Sequence, residues 1–465
     1  MNKNKMIEKI MKNWRGFPNI NIVGKYDFLS QTVCANSLEI THLSHLINNP
    51  KDIQIKRKVL GIFIHEITHW LDHTSTLWGQ KFLIDIFNAF NAKYNENIDE
   101  LWRIQKLFSD LSRIYFADYY TANGSAANKT WNQKPWRYQF GSGLQFDKDG
   151  KISEQYPFLF TKFFTSDDEL IKRVPLSVVS LLETNAVASE KKLEISLLSS
   201  LSQEEMLIEN NLIEQNSLKT LYDPQLTVYS VAAHCLANLV GISEITSAYF
   251  LSSALSTLCL NLPSQVFPLL KIPYDIQEAI GDRTKQMLKI QDRGFVFYLL
   301  ANFAPKDNLS DVLTNSDILN WLESAVNAAG LPSLMQLEEL AFIEMNELDK
   351  EILKDPLMEN FQELGAAIDE DNFISEYSRL KTLLKAGREN FTKRGICGNH
   401  ELSLKSLLSE DDSCLKLPPI LLGDDEVIQL GIEALGQQYQ NLEEWIYYVW
   451  NIEDNLREFN KACFV

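Results

Sequence analysis

Apolar residues recur at helical spacing from Pro50 to His73, at Ile53, Val59, Leu60, Phe63, Ile64, Ile67, Trp70 and Leu71, and predict the first long helix. Pro50 suits its first turn and Gly79 follows its end. Ahead of it, NINIV at 19–23 and SLEIT at 37–41, with Asn and Gly between them, predict short strands. Residues 121–165 hold Asn, Gly and Trp clusters, and GLQFDKDGKISEQY reads as a hairpin turning at Asp149-Gly150. Beyond Pro175 the pattern is almost wholly helical, and no repeat of fixed period is visible. The least regular stretch, 394–426, carries Gly395, Gly398, Pro418, Pro419 and Gly423 and predicts a loop or lid. The expected class is mainly α with a small N-terminal β-sheet (α+β).

At 465 residues the chain exceeds what one core usually fills, so roughly two or three domains are expected. Residues 1–200 hold 25 Lys and Arg against 21 Asp and Glu, and the remainder holds 19 against 41. This asymmetry predicts a first unit over 1–200 and an acidic helical unit over 201–465 that is either a solvated body or a surface for a basic protein partner. A formal charge of −18 argues against nucleic acid as a partner.

Residues 224–270 carry one charged side chain, Glu244, which raises the question of a membrane hairpin. Their Ser, Thr and Asn content, the breaks at Gly241 and Pro263 and the lack of flanking basic clusters predict two buried core helices instead, and no membrane. The first residues lack the apolar run of a secretory signal. Six cysteines lie far apart without a C-x-x-C pair, which predicts free thiols in a reducing cytoplasm.

The chemistry is concentrated in His65-Glu66-Ile67-Thr68-His69. Two imidazoles four residues apart project from one face of a helix and can share an ion, with Glu66 beside it. In a chain with seven histidines this pattern arises by chance roughly once in a hundred such sequences. The segment around 61–79 resembles the zincin metallopeptidases, whose H-E-x-x-H helix supplies two zinc ligands and a glutamate base. The resemblance implies a Zn2+ centre that activates water, Glu66 as general base, a peptide or protein substrate, and a zincin-like domain over 1–200 with a long insertion at about 80–170.

A third protein ligand is needed. His73 extends the histidine row, but eight residues of helix rise about 12 Å, too far for both end imidazoles to reach one ion. It reads instead as a helix C-terminal residue favoured by the dipole. Glu183 is the only charged residue between Arg173 and Glu190, and a buried carboxylate is costly unless paired or bound to metal. A Glu from a second helix, followed by small residues, is similar to the gluzincin branch. That branch's thermolysin-like members carry an Asp four residues later, where this chain has Val187. Glu190 and Asp118 are rival ligands.

Asp72 could orient a ligand histidine, or be an exposed helix-end residue. Candidate oxyanion donors are Tyr229, His234, Tyr119 and Tyr120, and no spacing selects among them; His234, in the uncharged stretch, is either a cleft-facing donor or a hydrogen-bonded core histidine, the second being more common. SLEITHLSHL could be the edge strand that aligns substrate, with His42 and His45 at the rim. Gly398-Asn399-His400-Glu401 resembles one element of the metallophosphoesterase signature, but the other elements are missing. Two functions remain: a zinc metallopeptidase, or a non-catalytic interaction or regulatory protein on a zincin scaffold.

Overall fold

The computed structural model describes residues 25–28, 31–35, 53–94, 121–124, 136–146, 152–306, 314–353, 370–398, 415–417 and 420–422. The predicted first helix is α1, Ile53–Ser75. Its second half is buried all round, so its hydroxyls bond to its own carbonyls: Thr68 Oγ1 to Ile64 O at 2.6 Å and Thr74 Oγ1 to Trp70 O at 2.7 Å. Gly79 does not end a helix but lies in the first turn of the next, α2, Leu77–Tyr94. A Cβ there would stand 2.4 Å from the carbonyl oxygens of Asp72 and His73, so only glycine lets α2 start so close to the end of α1.

The described residues form two small sheets, and the first packs on α1 through Tyr26 and Val33. In the first, β1 (Lys25–Asp27) pairs antiparallel with β2 (Thr32–Ala35). In the second, β3 (Ala122–Asn123), β4 (Arg137–Phe146), β5 (Ile152–Phe164) and β6 (Leu170–Pro175) are antiparallel in the order β3-β6-β5-β4. The predicted hairpin is thus β4–β5; its turn lies outside the described residues, as do the runs at 19–23 and 37–41.

Helices follow β6: α3 (Val178–Leu198), α4 (Gln203–Leu221), α5 (Thr227–Val240), α6 (Ile245–Asn261), α7 (Tyr274–Ile280), α8 (Arg283–Lys289), α9 (Arg293–Phe303), α10 (Asn315–Ala328), α11 (Leu334–Leu353) and α12 (Glu370–Arg394). The uncharged stretch is α5 and α6, whose apolar residues enter the main core with Phe295, Phe297 and Leu300 of α9. Among the described residues no single helix is long and apolar enough to cross a membrane.

Among the described residues the main core draws on both sides of residue 200. The main core is continuous from Trp136 and Leu159 in the second sheet to Ile396 and Cys397. A last strand, β7 (Ile420–Leu422), pairs parallel with β2, so the first sheet contains both early and late chain. Late chain also packs on α1 directly: a Cβ on Gly387 of α12 would lie 2.0 Å from Thr74 O.

Candidate metal centre

Helices α1 and α3 build the centre by packing side by side. Leu60 and Ile64 of α1 meet Leu193 and Leu197 of α3 in one apolar cluster, and Arg57 faces Glu194 at 3.9 Å. The start of α3 is set by Ser177, whose amide donates to Ser180 Oγ at 3.1 Å, so Glu183 falls in the second turn opposite the histidines.

His65, His69 and Glu183 converge, each offering one ligand atom within 4.8 Å of the others. Oε2 of Glu183 lies 3.3 Å from Nε2 of His65 and 3.5 Å from Nε2 of His69. Donors about 2.0–2.2 Å from one tetrahedral ion stand about 3.3–3.5 Å apart, so the two separations from Glu183 match edges of such a site. Glu183 is fully buried, and neither of its carboxylate oxygens has a hydrogen-bond donor of acceptable geometry among the described residues. A buried carboxylate facing two imidazole nitrogens in this way fits a cation, and the donor set of two nitrogens and one oxygen suits zinc.

Electrostatics without an ion show how tightly the groups are coupled. Burial acts against a charge on His65, but the Glu183 and Glu190 carboxylates outweigh it and hold its pKa well above the ordinary imidazole value. Burial would raise the Glu183 pKa, yet His69 and His65 hold it below the ordinary range. Burial raises that of Glu66, against the opposing pull of His65 and His69.

Glu190 is not a third ligand in this arrangement. Its Oε1 lies 2.5 Å from Nδ1 of His65, the ring nitrogen that does not face Glu183. Asp118, Tyr119, Tyr120, His42, His45 and the segment SLEITHLSHL lie outside the described residues.

Of the two candidate oxyanion donors in the uncharged stretch, Tyr229 lies beside the centre. Its ring centroid is 6.2 Å from that of His65, and burial, then Glu183, Glu66 and Glu190, raise its pKa well above the ordinary phenol value. It therefore stays a proton donor. His234 goes elsewhere. Its ring packs against Trp136, Phe163 and Tyr222, and its Nε2 lies 2.8 Å from Leu221 O. Burial pushes its pKa down to about 4, so it is a neutral core histidine bonded to a carbonyl, and the expectation of a catalytic role is not supported by its surroundings.

His73 lies in the last turn of α1 but is not a charged partner of the dipole. It is enclosed by the rings of Tyr26, Trp78 and Phe82, and burial lowers its pKa to about 3. Asp72 is not exposed: it is fully buried, accepts from Asn185 Nδ2 at 2.7 Å and pairs with Arg394 at 3.1 Å. Asn185 in turn accepts from Ser253 Oγ at 2.9 Å, which ties α1, α3, α6 and α12 together behind the ligands.

Asn185, Arg394 and the main-chain amide of Tyr26, which donates to Glu66 Oε2 at 2.7 Å, were not found by sequence reasoning. An amide has no side-chain signature, and Arg394 sits in a charged helix end where nothing marks it. No family model matches the chain, and neither does any curated protein or solved structure.

Proposed function

We propose that the protein is a zinc-dependent metallopeptidase in which His65, His69 and Glu183 hold the ion and Glu66 is the general base. The observation that carries this reading is the convergence of the three ligand atoms within 4.8 Å, with Glu66 next to the first ligand on the same helix. When bound, zinc polarises a carbonyl and brings the pKa of a coordinated water towards neutrality. Glu66 takes the proton of the attacking water and returns it to the leaving amine, and burial raises its pKa above the ordinary carboxylate value. Tyr229 donates its hydroxyl proton to the oxygen on which charge develops. The substrate is a peptide or protein, and the acidic excess beyond residue 200 favours a cationic one. Buried free thiols at Cys235, Cys259 and Cys397 suit a reducing compartment such as the cytoplasm.

One observation favours a second reading, a non-catalytic protein with a structural ion. The site is deep, with side-chain exposure of 14% at His65 and residue exposure of 3% at His69 and 7% at Glu66. Elemental analysis with a peptide-library assay separates the two. The peptidase reading expects about one zinc per chain in wild type and Glu66→Gln, little in Glu183→Ala, and hydrolysis by wild type alone. Full turnover by Glu66→Gln, or no metal uptake by wild type, would remove the peptidase reading, while bound zinc without hydrolysis would establish the structural one.

A further inference from the structure

The amide of Tyr26 reaches Glu66 across 40 residues of chain. In an antiparallel pair each residue turns both its N–H and its C=O either towards the partner strand or away from it. Tyr26 stands opposite Val33 of β2, and since its N–H reaches a side chain of α1, its main chain turns away from β2. Among the described residues β1 is the edge of the sheet β1-β2-β7, so the outer edge of β1 lies against α1 at the level of Glu66.

That position is fixed independently of Glu66. The Tyr26 side chain is buried among Ile67, Trp70 and Leu71 of α1, Val33 of β2 and Leu415. Its hydroxyl donates to Gln31 Oε1 at 2.5 Å, and its ring lies 5.0 Å from that of His73. Strand and helix are thus packed together on both sides of the amide, and the donor is in place before any proton moves. A glutamate has three rotatable side-chain bonds, and one charge-assisted bond to a fixed donor removes most of that freedom.

We infer that the Tyr26 amide is a positioning group for the base: it fixes Oε2 of Glu66 and leaves Oε1 to take the proton. This rests on the role of Glu66 given above. Proton transfer depends on the direction of the accepting oxygen, so a base held by one oxygen is aimed, and one free to rotate is not.

Replacing Tyr26 by its α-hydroxy acid turns the amide into an ester, which removes the N–H, sets an ester oxygen beside Glu66 and weakens the Lys25 carbonyl as an acceptor. In the zinc-loaded protein kcat on a peptide substrate should fall about ten- to a hundredfold, with KM and zinc content unchanged. An unchanged kcat overturns the inference, and so does a raised one, which would make the contact a latch. A second readout needs no turnover: with 15N-tyrosine labelling, the Tyr26 amide cross-peak should move in Glu66→Ala. A stationary peak removes the contact whatever the activity. A moving peak in a protein that hydrolyses nothing overturns the assignment of Glu66 as base, and with it the role of the amide, while the contact stands.

Discussion

Glu190 presents Oε1 to Nδ1 of His65 at 2.5 Å, while Nε2 of the same ring faces Glu183 at 3.3 Å. Seven residues are close to two turns of helix, so α3 offers both carboxylates from one face, one to each nitrogen of one imidazole. A proton on Nδ1 bonded to Glu190 leaves the Nε2 lone pair directed at the place where an ion would sit.

Glu190→Ala should therefore weaken zinc binding about 10- to 100-fold, because His65 loses the group that fixes its tautomer and ring orientation. Glu190→Gln, whose amide oxygen still accepts from Nδ1–H, should lose less. Competition against a chromogenic chelator measures both, and equal affinity in all three proteins would show that Glu190 does not act through His65.

Tyr229→Phe should lower kcat about a hundredfold while metal content and KM stay near wild type. The phenol is kept protonated by burial and by the carboxylates Glu183, Glu66 and Glu190, so it is a donor throughout the neutral range. A steady-state comparison on one peptide decides the matter: a change confined to KM would make Tyr229 a binding residue rather than an oxyanion donor.

Arg394→Met should destabilise the fold by about 3–5 kcal/mol, since it leaves the Asp72 carboxylate buried without its cation. Arg394 also donates to Ser75 Oγ at 2.7 Å, so the end of α12 is held to the end of α1 at two points. In urea unfolding, Asp72→Asn combined with Arg394→Met should cost less than the sum of the single changes. Simple additivity would mean that the pair is not coupled.

The parts of the centre that were legible in the sequence are those whose signal is local. Two histidines and a glutamate on one helix announce themselves by spacing, and Glu183 by being the lone charge in an apolar run. Glu190 was visible only as a rival ligand, because spacing places it on the face of Glu183 without saying which nitrogen it meets. The Arg394–Asp72 pair spans 322 residues and the β2–β7 pairing joins residues near 33 to residues near 420, and neither leaves a pattern along the chain. His234 stayed open between donor and core histidine because an uncharged helix with one histidine reads the same whether that histidine faces a cleft or a core. What separates the two is the partner, here Leu221 O, which lies outside the helix.

Stability should fall as pH drops from about 6.5 to 4, in part through His234. Its folded pKa of about 4 lies below the ordinary imidazole value of 6.5, so in that interval the unfolded chain binds the proton that the folded one refuses. The contribution is complete above 6.5 and is lost progressively below it, the loss reaching about 3 kcal/mol at pH 4. His73, with its pKa lowered to about 3, acts in the same direction. His234→Phe removes the titrating group but leaves Leu221 O without its donor, so the variant should start less stable at pH 7 and then lose less on acidification. Denaturant unfolding of both proteins at pH 7, 5.5 and 4.5 measures the two slopes side by side, which cancels the carboxylates they share. Parallel slopes would mean that the imidazole is already solvated in the native state, contrary to its place between Trp136 and Tyr222.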